Sequence, residues 1–232
     1  MTAILSNLQA TREAIAKAAI DARRNIADVH LLAVSKTFSV EAVREAYRGG
    51  QTAFGENYLQ EALDKIAALN DLPLEWHFIG PIQSNKTRLI AENFAWVHGV
   101  DRLKVAERLS AQRPPHLPPL NICLQVNVSG EDSKSGVTFE DAPQLARKIF
   151  ALPHLKLRGL MSIPAPASAE IEQRVPFAKM RQLLEKLNEQ GLALDTLSMG
   201  MSHDFPAAIK EGATIVRIGT AIFGVRKYGE KT

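Results

Sequence analysis

The 232-residue sequence predicts an α/β protein, a (β/α)8 TIM barrel with an extra N-terminal helix. Eight short apolar runs alternate with segments of helical pattern, which implies parallel strands joined by right-handed crossovers. The length lies in the usual range for eight such units closed into a barrel. Polar residues and glycines collect just after the runs, where a barrel carries its functional groups. A doubly wound open sheet is the alternative, but no glycine-rich dinucleotide turn follows any of the runs.

The elements follow from hydrophobic periodicity. Apolar residues at helical spacing predict an opening helix over 3–24. The strands are predicted at 31–36, 52–55, 76–80, 96–100, 122–128, 157–163, 196–200 and 214–219. The later helices are predicted near 40–48, 57–69, 83–93, 101–111, 139–151, 170–190 and 203–211. We expect one domain over residues 1–232, with 1–28 packed on the barrel as the N-terminal helix.

Composition excludes several classes of function. The net charge of +3 comes from scattered Lys and Arg, and aromatics make up only 6%, so no nucleic-acid surface is expected. No segment reaches the ~20 apolar residues of a membrane span. Cys123 is the single cysteine, which excludes an internal disulfide or a zinc cage. The six histidines are scattered, so no metal site is expected. We expect a cytoplasmic protein.

Lys36 ends the first predicted strand. By the strand period of two, it shares a face with Leu32 and Val34. A buried ammonium tends to lose its proton, and a neutral amine is what a Schiff base with an aldehyde requires. The alternative is a lysine at a strand end whose head reaches water.

Glycines and hydroxyls follow the last two predicted strands, where barrels often bind a phosphate. Ser202 and Thr220 can donate hydroxyl hydrogen bonds, and Gly219 allows a close approach of the backbone. The alternative is that the glycines only let the chain turn. Arg217 lies in the last strand, where either face is covered, so its guanidinium needs an acceptor. A structural ion pair with Glu56 is the alternative role for Arg217.

An aldehyde-reactive lysine, a phosphate cradle and a buried arginine together indicate pyridoxal 5′-phosphate (PLP). Lys36 would bond to it as a Schiff base, the loops after the last two strands would hold the phosphate, and Arg217 would face the pyridine nitrogen. His77 could line this pocket or could equally be a core histidine.

Several motifs resemble one family over nearly the whole chain. They occur in order at Ala33-Val-Ser-Lys36, Phe54-Gly-Glu-Asn-Tyr58, Trp76-His-Phe-Ile-Gly80, Gln83-Ser-Asn-Lys86, Ser133-Lys-Ser-Gly136, Arg158-Gly-Leu-Met161, Leu197-Ser-Met-Gly-Met-Ser202 and Val216-Arg-Ile-Gly-Thr220. The chain resembles the pyridoxal phosphate homeostasis proteins, which are similar to the N-terminal barrel of alanine racemase.

The resemblance implies a PLP site and roles for individual residues. It implies a Schiff base on Lys36 and cofactor contacts from Asn57, Met161, Ser198, Ser202, Arg217, Gly219 and Thr220. It also implies a part for Lys134 in transfer or regulation, although a solvated loop lysine is the alternative there. The partners implied are PLP and apo PLP-dependent enzymes, with the chain a monomer or weak dimer.

The function expected is to carry or buffer PLP and so maintain vitamin B6 and amino-acid homeostasis, without efficient turnover and without a catalytic residue set. An arginine at the pyridine nitrogen disfavours ring protonation and weakens the cofactor as an electron sink. The first alternative is a low-activity PLP-dependent amino-acid racemase, which needs acid and base groups on both faces of its substrate. The second is a cofactor-free aldolase that uses Lys36 on a sugar phosphate.

Overall fold

Eight parallel strands form a closed barrel, as the sequence predicts. A computed structural model describes residues 2–131 and 135–225. The strands are β1 His30–Val34, β2 Ala53–Glu56, β3 Glu75–Phe78, β4 Trp96–Val100, β5 Leu120–Gln125, β6 Leu155–Met161, β7 Thr196–Ser198 and β8 Ile215–Ile218. They follow one another around the barrel in chain order, and β8 pairs with β1 to close it.

Helices surround the barrel. They are α1 Ala3–Asp21, α2 Val40–Arg48, α3 Leu59–Ala68, α4 Thr87–Asn93, α5 Leu103–Gln112, α6 Ala142–Phe150, α7 Glu170–Glu189, α8 Phe205–Lys210 and α9 Thr220–Phe223. In the described ranges, no helix is both long enough and apolar enough to span a membrane. The four residues of α9 are too few to show a period, which is why the sequence did not predict this helix.

The opening helix is shorter than predicted. It ends at Asp21, and Arg23 takes a φ of 56°, a left-handed conformation that a helix interior does not contain. A short 3-10 helix then spans Ile26–Asp28. Helix α1 packs against α8 and α9 on the outside of the barrel, and Asn7 donates to the carbonyl of Ile222 over 3.1 Å. The assignment of residues 1–232 to one domain stays a prediction.

Side chains alternate between the two faces of each strand. On β5, Ile122 and Leu124 join the core between barrel and helices, whereas Cys123 points into the barrel. Burial raises the pKa of the Cys123 thiol to about 12, so this cysteine is an inert core residue. The apolar interior cluster consists of Leu32, Trp96, Cys123, Met161 and Ile215.

The barrel interior also contains a line of buried polar side chains. They come from four neighbouring or facing strands and are His77, His98, Ser198 and Arg217. Burying polar groups is unfavourable unless they form hydrogen bonds, and each of these four does so. Arg217 is the member nearest the C-terminal end of the barrel, where the candidate site lies.

Candidate functional site

Lys36 lies in a tight turn directly after β1. The strand ends at Val34, two residues earlier than predicted, and Phe38 N–H donates to the Ser35 carbonyl over 3.1 Å to close the turn. Thr37 has a φ of 70°, the left-handed region that non-glycine residues seldom adopt. Lys36 is half-buried rather than fully buried. It therefore stands at the barrel mouth instead of inside the sheet.

A buried ion cluster holds this turn in place. Lys65 Nζ lies 2.8 Å from the Ser35 carbonyl, 2.8 Å from Glu56 Oε1 and 2.6 Å from Glu61 Oε1. Glu61 in turn accepts from the Thr37 N–H over 2.6 Å. Burial raises the pKa of Glu56, and the adjacent Lys65 ammonium opposes that rise. The turn that carries Lys36 is thus held in place by hydrogen bonds with the charged groups of Lys65 and Glu61.

Arg217 is anchored by carbonyls and a hydroxyl. Its Nη1 lies 2.6 Å from the Ser198 carbonyl and 2.7 Å from Ser198 Oγ, and Nη2 lies 2.9 Å from the Ser162 carbonyl. An ion pair with Glu56, the alternative considered from sequence, is wrong, because Glu56 hydrogen bonds Lys65 and Ser35. Burial lowers the pKa of Arg217 to about 10, so its guanidinium is still charged at neutral pH.

One pocket at the C-terminal ends of the strands brings most of the predicted residues together. We call it the mouth pocket; its volume is about 210 Å³. The predicted residues that line it are Lys36, Asn57, Ser202, Arg217, Gly219 and Thr220. Apolar side chains complete the walls, contributed by Val34, Phe38, Ile79, Ile163 and Met201. A polar set against apolar walls is the usual composition of a small-molecule site.

Three buried polar atoms at this end of the barrel lack hydrogen-bond partners within the described residues. They are Oε2 of Glu56, Oδ1 of Asn57 and Oγ of Ser162. Asn57 lines the mouth pocket, and the carbonyl of Ser162 accepts from Arg217. Buried polar atoms are seldom left without a hydrogen bond. The mouth pocket therefore has unused hydrogen-bonding capacity for a polar ligand.

Close backbone approaches shape the pocket. A Cβ on Gly219 would lie 2.9 Å from the Val34 carbonyl, and one on Gly80 would lie 2.3 Å from the Asn57 carbonyl. Gly200 has a φ of 94°, and its absent Cβ would meet Ala208 at 2.7 Å. Close packing thus requires glycine at these three positions, against a strand end, a loop and helix α8, so these glycines do more than let the chain turn.

Two residues implied as cofactor contacts do not line the mouth pocket. Met161 is buried in the barrel interior with Leu32, Trp96 and Cys123, and Ser198 lies behind the guanidinium of Arg217. His77 is further away, stacked on Trp96 with ring centroids 5.3 Å apart. Lys134 lies outside the described residues, so its role stays a prediction.

Sequence reasoning missed two histidines. His203 lines the mouth pocket next to Ser202, but the sequence analysis gave it no role. His98 bonds Ser198 Oγ through Nδ1 over 2.8 Å. The period of two places His98 on the same strand face as Trp96, which was a usable signal for an interior position. The partner on β7 could not be found in this way, because it lies 100 residues further along the chain.

A larger cavity of about 990 Å³ opens at the opposite, N-terminal end of the barrel. We call it the floor cavity. Two of its arginines are already paired: Arg158 with Asp195 at 2.8 Å, and Arg24 with the Ala213 carbonyl, to which it donates over 2.6 Å. The cavity also lies at the end of the barrel that usually serves stability rather than catalysis. The mouth pocket, though smaller, is the better candidate site.

Comparison with known proteins assigns the chain to a family. Residues 6–227 match the family model of the alanine racemase N-terminal domain. A relative from Pseudomonas aeruginosa, named pyridoxal phosphate homeostasis protein, is 62% identical over 229 residues, covering 99% of this chain and 98% of the relative.

Solved structures agree with this assignment. PipY of Synechococcus elongatus, solved with PLP bound, is 39% identical with a TM-score of 0.79, covering 90% of this chain and all of that chain. Alanine racemase from Corynebacterium glutamicum shares the fold at 18% identity, with a TM-score of 0.72, over 97% of this chain and 61% of that chain. The resemblance seen in the sequence motifs and the predicted barrel are both confirmed. The chain belongs to the pyridoxal phosphate homeostasis proteins, within the alanine racemase N-terminal domain family.

Proposed function

We propose that this protein binds PLP in the mouth pocket and carries or buffers it, so that B6 and amino-acid pools stay balanced. The observation that carries the proposal is the convergence of Lys36, Arg217 and two hydroxyls, those of Ser202 after β7 and Thr220 after β8, on one pocket. The relatives' name and the PLP-bound PipY structure support the same ligand.

The residues present fit PLP. An aldehyde, a phosphate and a polar ring need an amine, several hydrogen-bond donors and ring-edge partners, and the pocket has each kind. The partnerless Oδ1 of Asn57 adds an acceptor for a hydroxyl group. When bound, PLP supplies a reactive aldehyde and an electron-withdrawing ring.

Each group of residues has a distinct task. Lys36 supplies the amine that bonds the aldehyde, and the turn fixed by Lys65 aims that amine into the pocket. Ser202, Thr220 and the backbone at Gly219 donate hydrogen bonds to the phosphate. Arg217 can only donate hydrogen bonds, so it favours a ring nitrogen without a proton. Ser198 supports Arg217 through a hydrogen bond, and Met161 packs in the barrel interior beneath the mouth pocket.

The test is the absorbance spectrum of the purified protein, before and after borohydride, for the wild type, Lys36→Ala and Lys148→Ala. Lys148 is exposed on α6, away from the mouth pocket, and its variant is the control. We expect a visible band in the wild type and Lys148→Ala that borohydride abolishes and that Lys36→Ala lacks. A colourless wild type that takes up no added PLP would overturn the proposal and favour the aldolase alternative.

The carrier role is tested by transfer to an acceptor. The PLP-loaded protein is mixed with an apo-aminotransferase, and the recovered activity is followed with time. We expect recovery faster than PLP dissociates from the loaded protein. Recovery at the dissociation rate alone would leave only passive buffering. The same assay with Lys134→Ala tests the proposed part of that lysine in transfer. We place this role in the cytoplasm, since a lone buried cysteine needs no oxidising compartment.

A low-activity racemase is the second candidate, and His203 favours it. This imidazole lines the mouth pocket with Lys36, so two groups able to exchange protons face the same space. Exchange of the α-hydrogen of amino acids in deuterated water, compared between wild type and His203→Gln, decides it. No exchange across a broad panel of amino acids would exclude this candidate.

A further inference from the structure

A continuous line of hydrogen-bonded side chains crosses the barrel from the floor cavity to Arg217. We call Glu75, His77, His98, Ser198 and Arg217 the polar column. Glu75 Oε1 lies 2.9 Å from His77 Nε2, and His77 Nδ1 lies 2.9 Å from His98 Nε2. His98 Nδ1 lies 2.8 Å from Ser198 Oγ, which lies 2.7 Å from Arg217 Nη1. Strands β3, β4, β7 and β8 all contribute, so the closed barrel assembles the column.

The two ends of the column differ in chemistry. Arg217 is a donor without acceptor capacity, and an ionised Glu75 is an acceptor without donor capacity. The hydrogen bond from His77 lowers the pKa of Glu75, which keeps it ionised. Arg158 and Trp96 on the floor act on Glu75 in the same direction. The column therefore has a fixed acceptor at the floor and a fixed donor at the mouth.

The imidazoles between these ends are neutral. Burial lowers the pKa of His77, and it lowers the pKa of His98 well below the ordinary range, with further lowering by His77 and Arg217. A neutral imidazole has one donor and one acceptor nitrogen. Because Glu75 must accept, His77 carries its proton on Nε2 and leaves Nδ1 as an acceptor.

The remaining hydrogens follow in sequence. His98 must donate through Nε2 to His77, which leaves its Nδ1 to accept from the Ser198 hydroxyl. Ser198 Oγ then presents its lone pairs to Arg217. In each of the four hydrogen bonds the donor is on the Arg217 side and the acceptor is on the Glu75 side. Each intervening hydroxyl or imidazole therefore has the negative end of its dipole toward the buried guanidinium. Among the described residues no carboxylate forms an ion pair with Arg217, and Asp204 acts on it only as a more distant charge.

We propose that Glu75, His77 and His98 are positioning residues for Arg217, because their fixed polarity orients the Ser198 hydroxyl and thereby holds the guanidinium in place. A reversed column would have His98 donating to Ser198 Oγ, so that the Ser198 hydroxyl would lose its acceptor and its hydrogen would no longer be held away from Arg217. The effect on a bound cofactor rests on the proposed function, whereas the polarity of the column does not.

The test replaces the floor acceptor with a donor. Glu75 is half-exposed, so Glu75→Lys leaves the core intact, and Glu75→Gln keeps an acceptor oxygen and is the matched control. Long-range ¹H–¹⁵N spectra of the protein without cofactor identify which nitrogen of each imidazole carries hydrogen, with His77→Gln and His98→Gln used for assignment. We expect Nε2–H on both histidines in the wild type and Glu75→Gln, and Nδ1–H on both in Glu75→Lys.

Two further measurements report on the consequences for Arg217: hydrogen exchange of its side chain and the affinity of the pocket for PLP. In Glu75→Lys we expect its side-chain N–H groups to exchange with water about tenfold faster or more, as befits a lost hydrogen bond to a charged group. We also expect a PLP dissociation constant raised by about the same factor, with Glu75→Gln near the wild type.

The outcomes are separable. Nδ1–H on His98 in the wild type, or reversed tautomers in Glu75→Lys with unchanged exchange at Arg217, would overturn the inference. The tautomer measurement and the exchange measurement at Arg217 are both made without cofactor. A wild type that shows the expected tautomers and the expected exchange at Arg217 but takes up no PLP would support the column and would count against the proposed function alone.

Discussion

Nζ of Lys65 lies 2.8 Å from Oε1 of Glu56, in an ion pair whose side chains are 4% and 0% exposed. The pair supports the turn that carries Lys36, since the same ammonium donates to the Ser35 carbonyl. A buried pair of this kind adds little net stability when complete, but removing one partner leaves the other charge uncompensated. The turn therefore depends on both members being present.

Lys65→Met should destabilise the protein strongly. It leaves Glu56 buried without its cation, and breaking a buried pair in this way costs ~3–5 kcal/mol of unfolding free energy. Urea denaturation monitored by circular dichroism measures the loss. The double variant Lys65→Met with Glu56→Leu should recover much of it, because no unpaired charge remains at the Glu56 position. A single variant as stable as the wild type would contradict the assigned role of the pair.

Stability should fall as the pH drops below about 6.5. Burial lowers the pKa of His77 and His98 in the folded protein, so the unfolded chain binds protons there first. The unfolding free energy should decrease by up to ~1.4 kcal/mol per pH unit for each histidine. Urea titrations at pH 7.5 and at about pH 5.5 measure this.

His98→Gln identifies the source of the dependence. The variant should lose the share of the pH dependence that His98 contributes, whereas His116→Gln, at an exposed loop position, should retain the full dependence. The same slope in His98→Gln and in the wild type would mean that another group is responsible.

Removing a hydroxyl at the mouth pocket should weaken PLP binding without abolishing the visible band. Ser202→Ala and Thr220→Val each delete one hydroxyl that we propose as a donor to the phosphate, and a hydrogen bond to a charged group contributes ~1.5–3 kcal/mol. The dissociation constant should rise about tenfold to a hundredfold. Equilibrium dialysis provides the measurement, and Ser168→Ala, at an exposed position outside the pocket, is the control. Unchanged affinity for PLP in both variants would mean that the phosphate binds at a different place.

Gly80→Ala should displace Asn57 from the mouth pocket. The new Cβ would lie 2.3 Å from the Asn57 carbonyl, and backbone atoms give way only by shifting the loop. We expect a loss of ~1–3 kcal/mol in stability, together with weaker PLP binding. Gly55→Ala is the comparison, since the nearest atoms to its Cβ would be side-chain carbons of Leu32 and Ile79 at 3.2 Å rather than backbone atoms. Equal behaviour of the two variants in thermal unfolding and dialysis would contradict this account.

Most of the barrel could be predicted because each strand is a short apolar run between turn residues, which is a local property. Apart from the unpredicted helix α9, the errors fell at the ends of helices and strands, where backbone geometry rather than hydrophobicity decides the boundary. β1 stops at Val34 because the turn at Thr37 takes a positive φ, and α1 stops at Asp21 because the chain reverses at Arg23. Neither the turn at Thr37 nor the reversal at Arg23 leaves a signal in the spacing of apolar residues.

The sequence by itself determined the eightfold alternation and the grouping of Lys36 with the loops after β7 and β8, since the first follows from a period and the second from the rule that strand ends meet. It left open which face of β8 Arg217 occupies. Only the tertiary structure decided the partners. Glu56, the alternative partner of Arg217, is paired with Lys65. Ser198 lies behind the Arg217 guanidinium and does not line the mouth pocket. The physical reason is that hydrogen-bond pairing in a closed barrel joins residues 100 or more positions apart, as in His98 and Ser198, and no local pattern encodes that choice.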